Sequence, residues 1–146
     1  MKFTVDLTIN KNRRSVWKAF DNPNNTRHWQ PTLQSFEPQK GTPGQVGAIS
    51  KLTYREDGQT ITLLETVTDR NEPNEFAGIY ARDGVVNELH NTFVELNAQQ
   101  TRWILDADLR FSGVLSIVAP LIKKSLVKRT RADMERFKAM VENQAR

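Results

Sequence analysis

Two Asp-Gly pairs, Asp57-Gly58 and Asp83-Gly84, each separate runs in which apolar and polar residues alternate. In that setting Asp-Gly is the strongest short-range signal for a β-hairpin, because its residues accept the positive φ of a tight turn. The first pair joins strand 46–56 to strand 59–69, and the second joins strand 75–82 to strand 85–96. A two-residue turn also fixes register, and register decides which side chains share a face. Glu56 then faces Gln59, Tyr54 faces Ile61, Leu52 faces Leu63 and Ser50 faces Glu65, together with Ala48 and Val67. The opposite surface carries Lys51, Thr53, Arg55, Thr60, Thr62 and Leu64 and is the wet side. In the second hairpin Tyr80 faces Asn87, Gly78 faces Leu89 and Phe76 faces Asn91.

Other elements follow from the same periodicities. Phe3, Val5, Leu7 and Ile9 alternate as a half-buried strand does. Asn10 or Asn12 caps a short helix that carries Val16, Trp17 and Phe20, and Asp21-Asn22-Pro23 ends it. A second short helical turn runs from Asn24 to Trp29, and Leu33 to Pro38 forms a short strand. Residues 41–47, rich in Gly and Pro, are a loop. A turn at Asn97 to Gln100 leads into strand 101–111, whose inner face is Trp103, Leu105, Ala107, Leu109 and Phe111. An odd turn of about three residues at Ala98 to Gln100 brings Leu89 and Phe93 to that same face. An even turn would bring Glu88 and His90 there instead.

Ser112 to Arg146 reads as helical. Leu126, Thr130, Met134, Phe137 and Val141 mark one face of it, and lysines and arginines crowd the rest. Pro120 lacks a backbone donor, so residues 112–119 form a short turn and Pro120 takes the first position of a helix over 120–143. That rod is about 36 Å long, enough to cross a whole sheet.

A chain of 146 residues suits one domain, here 1–146. The absence of cysteine excludes disulfides, thiolate metal sites and cysteine nucleophiles, and His28 and His90 are too few for a histidine metal cage. No metal and no cofactor are expected. No apolar run approaches the ~20 residues that span a bilayer. The alternating N-terminus lacks the apolar core of a signal peptide, which leads to the expectation of a cytoplasmic protein. Residues 1–111 hold 13 Lys and Arg against 14 Asp and Glu, whereas residues 112–146 hold 8 against 3. The basic character belongs to the C-terminal segment.

The expected fold is α+β: a curved, antiparallel, seven-stranded sheet wrapped around a long C-terminal helix, with two short helices between strands 1 and 2. The chain resembles the helix-grip proteins of the SRPBCC (START/Bet v 1-like) superfamily, particularly its polyketide cyclase/dehydrase-like branch. The resemblance rests on Ser15-Val16-Trp17-Lys18-Ala19-Phe20-Asp21-Asn22-Pro23 with Trp29 after it, and on the loop Pro43-Gly44-Gln45-Val46-Gly47. Thr101-Arg102-Trp103 and Asp133-Met134-Glu135-Arg136-Phe137-Lys138 complete it, in order along the whole chain. Such a superfamily includes lipid carriers, hormone receptors, cyclases and ring hydroxylases, so it implies a fold and a cavity before any one activity.

Register places Ser50, Glu65, Tyr80, Asn87 and Asn91 on an otherwise apolar inner face. A buried, unpaired carboxylate costs several kcal/mol, so Glu65 must find a partner or hold its proton more tightly. Two readings of these groups stay open. Glu65 bonds Ser50 or a backbone amide, and Tyr80, Asn87 and Asn91 satisfy one another. Alternatively, the polar groups orient a ligand whose apolar body rests on Leu52, Tyr54, Leu63, Phe93, Trp103, Leu105 and Leu121. The leading function is binding of a lipophilic small molecule by a carrier or sensor. The alternative is a cofactor-independent cyclase/dehydratase, with Glu65 as general base on a polyketide-like or other carbonyl substrate and Tyr80 or Asn91 stabilising the enolate. Trp17 is read as core, and Trp29 as core or a wall of the cavity mouth. Asp106 and Asp108 share a strand face with Arg102 and Arg110 and pair outward with them. No specific nucleic-acid partner is expected. The basic helix allows a weak contact with anionic membrane, and monomer and homodimer both remain open.

Overall fold

The structure is a computed structural model that describes residues 1–144. Ala145 and Arg146, the end of the expected helical segment, lie outside the described residues. The elements are β1 (Lys2–Ile9), α1 (Arg13–Asp21), a 3-10 turn at Pro23–Asn25, α2 (Thr26–Trp29), β2 (Leu33–Lys40) and β3 (Ile49–Glu56). They continue with β4 (Gln59–Asn71), β5 (Glu75–Arg82), β6 (Val85–Asn97), β7 (Gln100–Phe111), a 3-10 turn at Gly113–Ser116 and α3 (Ala119–Glu142). All seven strands form one antiparallel sheet in the order β1-β7-β6-β5-β4-β3-β2. The fold is the expected helix-grip arrangement.

Both hairpins take the expected register: Ser50 lies opposite Glu65, and Tyr80 opposite Asn87. Asp57 and Gly58 both have positive φ, whereas in the second turn only Gly84 does. A Cβ on Gly84 would lie 2.7 Å from the Leu115 side chain, so the 3-10 turn after β7 is seated on that hairpin. The loop before β3 is longer than expected, and β3 starts at Ile49 instead of 46. Gly44 and Gly47 both sit at positive φ, which interrupts an extended strand.

The β6–β7 connection differs in mechanism from the expected odd turn. Asn97 pairs with Gln100 across a two-residue turn, and a bulge between Glu95 and Asn97 supplies the odd residue. Phe93 therefore lies opposite Trp103 on the inner face, as the apolar pattern requires. Pro120 occupies the second position of α3, because the helix starts at Ala119. Asn12 caps α1 by accepting a hydrogen bond from the Ser15 amide at 2.8 Å. On the outer face Arg102 pairs with Asp6 on β1 and Arg110 with Glu88 on β6, not with Asp106 and Asp108. Both are diagonal cross-strand pairs, since Arg102 lies opposite Thr8 and Arg110 opposite Val86, and a long arginine side chain spans that diagonal. Asp106 instead accepts from the Thr4 hydroxyl, and Asp108 lies 3.9 Å from the N-terminal ammonium.

The core is off-centre. Trp103, Phe93, Phe137, Met134 and Val141 are fully buried together with Val5, Ile9 and Val16. Phe20 on α1 is the hub of an aromatic cluster, with ring centroids 5.1 Å from Phe93, 5.8 Å from Trp103 and 6.2 Å from Phe137. The C-terminal half of α3 is pressed onto this cluster, and Lys138 and Glu142 tie it to β1 through the Thr8 carbonyl and the Asn10 amide. Removing the Phe137 ring would leave a cavity that no neighbour can close, so Phe137→Ala should cost about 3–5 kcal/mol. Urea denaturation measures this, and a loss below about 1 kcal/mol would mean that α3 is not anchored here.

Candidate functional site

Because α3 is anchored at its C-terminal half, its N-terminal half stands away from the sheet. Beneath it is a cavity of about 980 Å³, bounded by the inner faces of β2 to β7, by α2 and by α3. Leu52, Ile61, Leu63, Leu89, Leu105 and Trp103 make its apolar walls, and Trp29 closes one side. At the open end stand Asp57, Arg82, Leu121 and Ile122.

A polar row crosses the floor. Hairpin register aligns Ser50, Glu65, Tyr80 and Asn87 on four successive strands. The Tyr80 hydroxyl donates to Glu65 Oε2 at 2.6 Å, so the partner of Glu65 is Tyr80 on β5 and not Ser50 on β3. Gly78 makes room for this contact. A Cβ there would lie 3.1 Å from the Thr66 carbonyl oxygen and 3.3 Å from the Tyr80 ring, so the ring occupies the space a side chain would take. Burial raises the Glu65 carboxyl above its ordinary range, while the Tyr80 hydrogen bond pulls it the other way. Burial, and then the nearby Glu65 charge, raise Tyr80 well above an ordinary phenol, which keeps it a hydrogen-bond donor. A carboxyl in an apolar cavity can accept from a hydroxyl group and, when protonated, donate to a carbonyl group.

Of the residues expected at the site, Tyr54, Leu63, Glu65, Tyr80, Asn87, Asn91, Trp103, Leu105 and Leu121 all line the cavity. Phe93 does not. It stacks on Trp103, with centroids 5.8 Å apart, and is sealed beneath α1. Asn91 is already committed: it accepts from Trp103 Nε1 at 2.9 Å and donates to the Phe76 carbonyl at 3.2 Å. Leu121 stands at the mouth and is 69% exposed.

Several residues at the mouth were not anticipated. Arg129 on α3 donates to Glu56 Oε1 at 2.6 Å, and the Thr32 hydroxyl donates to the same oxygen at 3.0 Å. The Arg129 guanidinium also lies 5.6 Å from the Tyr54 ring centre, and the Tyr54 hydroxyl donates to Gln30 Oε1 at 2.8 Å. Together these contacts join α3, β3 and the α2–β2 connection at one side of the opening. Asp133, one turn farther along α3, is raised by burial and partly restored by its bond to Arg136. Among the described residues no group of three His, Asp or Glu side chains is placed to hold a metal ion. None of the described helices is long and apolar enough to cross a membrane.

The buried carboxyl gives stability a pH dependence of known sign. Glu65 is held with its proton more tightly in the folded than in the unfolded chain. Its contribution is therefore complete below the unfolded carboxyl value of about 4.3 and is lost as pH rises through the folded value. Glu65→Gln, which cannot ionise, should gain melting temperature over the parent as pH rises and show no such gain in acid. Melting curves across pH measure this, and a difference that does not change with pH would contradict the assignment.

An aromatase/cyclase from Streptomyces, ZhuI, superposes with a TM-score of 0.86 over 100% of this chain and 96% of its own, at 13% identity. Ara h 8.0201 superposes with a TM-score of 0.75 over 99% of both chains, at 16% identity. A START superfamily protein from Mycobacterium smegmatis does so at 0.78 over 97% of each, at 14% identity. These likenesses are of fold. No curated protein matches the chain by sequence. The family described as polyketide cyclase / dehydrase and lipid transport matches residues 1–142, and the chain belongs to that family.

Proposed function

We propose that the protein binds a lipophilic small molecule in the cavity between its sheet and α3, as a carrier or sensor. One observation supports this most: a space of about 980 Å³, walled by leucines and aromatic rings, has a carboxyl–phenol pair in its floor. Buried apolar area, at about 25 cal/mol per Å², supplies affinity, and Glu65 with Tyr80 orients the polar end of the ligand. Leu63→Trp would fill the cavity from its wall, whereas Leu64→Trp places the same ring on the outer face, where Leu64 is 47% exposed. With the fluorescent probe 1-anilinonaphthalene-8-sulfonate, Leu63→Trp should weaken binding by about tenfold or more while Leu64→Trp leaves it unchanged. Equal binding by the two variants would remove the cavity as the site.

A second reading is favoured by the raised Glu65 carboxyl, which suits a general base acting next to a carbonyl group. Its weakness is the other half of the chemistry. Asn91 already donates one amide hydrogen to the Phe76 carbonyl, and Tyr80 donates its single hydroxyl hydrogen to Glu65 itself, which leaves a developing enolate only the second Asn91 amide hydrogen. Native mass spectrometry of protein purified from its own host identifies the retained molecule. A carrier returns that molecule intact; conversion by the parent protein but not by Glu65→Gln would make it an enzyme.

A further inference from the structure

Nine large apolar side chains are exposed among the described residues, and four of them fall within eight positions: Val114, Ile117, Val118 and Leu121. Val114 and Ile117 are 79% and 80% exposed, as solvated as apolar side chains become in a folded chain. They do not point outward because the segment is loose. Leu115, between them, is seated against Gly84, and the Ser112 amide donates to the Gly84 carbonyl at 3.0 Å. The 3-10 turn is thus fastened by one leucine and presents its other apolar groups to solvent. Exposed apolar side chains clustered in this way mark a contact surface.

The charge around the patch selects the partner. From Arg110 to Ala132 the chain carries Arg110, Lys123, Lys124, Lys128, Arg129 and Arg131 and no acidic residue. Arg129 is engaged by Glu56 and Arg110 by Glu88, and Asp57 and Asp83 are the acidic residues of the β3–β4 and β5–β6 turns. An apolar tip bordered by lysines fits a bilayer with anionic headgroups: the side chains enter the acyl boundary and the ammonium groups stay at headgroup level. The patch also adjoins the mouth of the cavity, since Leu121 and Ile122 line it.

We infer that Val114, Ile117, Val118 and Leu121, with Lys123 and Lys124, form a surface that docks on anionic phospholipid membrane with the cavity mouth facing the bilayer. The lipid contact needs no ligand in the cavity, so it stands or falls apart from the probe-binding experiment.

Co-flotation with vesicles tests it, using phosphatidylcholine alone and phosphatidylcholine mixed with phosphatidylglycerol. The parent protein should float with the mixed vesicles and much less with phosphatidylcholine alone. Ile117→Asp with Leu121→Asp should weaken flotation by about tenfold or more, because apolar burial is lost. Lys123→Glu with Lys124→Glu should do the same through charge. Ile117, Leu121 and Lys124 are exposed and Lys123 is half-buried; Ile117→Ser with Leu121→Ser is the milder check, and melting curves confirm folding of all variants. No flotation of the parent would overturn the inference. So would flotation that the Ile117 and Leu121 variants retain, since binding would then be charge alone. A dimer in analytical ultracentrifugation that these variants dissolve, with no vesicle binding, would reassign the patch to a second copy of this chain.

Discussion

The seating of one end of α3 on the aromatic cluster governs the rest of the structure. Phe137 lies 5.0 Å from Trp103 and 5.3 Å from Trp29 between ring centroids, and Phe20 presses on the same group from α1. A straight rod fixed at one end over a curved sheet cannot touch the sheet along its whole length. The hollow is therefore a consequence of packing geometry: large aromatic residues fill one half of the palm, and Leu, Ile and Tyr leave the other half open. The side chains on α3 follow the same division. Met134, Phe137 and Val141 are buried, while Leu126 and Val127 toward the other end are only partly so.

Glu65 is costly for the fold, and its surroundings show how the cost is limited. A charged carboxylate in that apolar setting would be disfavoured by several kcal/mol. The Tyr80 hydroxyl supplies one hydrogen bond to the carboxyl, and burial shifts its ionisation upward. Gly78 is part of this arrangement although it carries no functional group, because its missing side chain is where the Tyr80 ring lies. A leucine at position 65 would pack there at lower cost. A carboxyl at the centre of the floor is thus a cost that packing alone does not account for.

The sequence made the floor readable because Asp-Gly turns carry register over long distances. Once Glu56 faces Gln59, the pairing of Ser50 with Glu65 follows by counting, and the next hairpin adds Tyr80 with Asn87. What was not legible arose where the count is broken or where two distant elements meet. The bulge between Glu95 and Asn97 preserved the parity of Phe93 with Trp103 by a route that no turn rule states. Phe93 looked like a cavity wall because it shares the inner face, but α1 covers that part of the sheet, and the depth of a covering helix leaves no trace in strand periodicity. Arg129 looked like one more solvated charge, since nothing local shows that Glu56, 73 residues away, stands within reach. Gly78 was the one missed residue with a local signal, because a glycine inside an otherwise regular strand marks a close approach.

The mouth and the floor of the cavity are held by different physics. The floor is a hydrogen-bonded sheet whose register cannot slip without turning every inner side chain outward. The mouth is held at one side by Arg129, Glu56 and Thr32, all partly solvated, and by one leucine seated on Gly84. Partly exposed ion pairs contribute about 0–1 kcal/mol, far less than the aromatic anchor at the other end of the helix. The N-terminal half of α3 is accordingly held less strongly than its C-terminal half, and it carries Leu121, Lys123 and Lys124 directly after the exposed Val114, Ile117 and Val118. A molecule entering the hollow would meet the partly solvated contacts at its mouth and leave the aromatic anchor untouched.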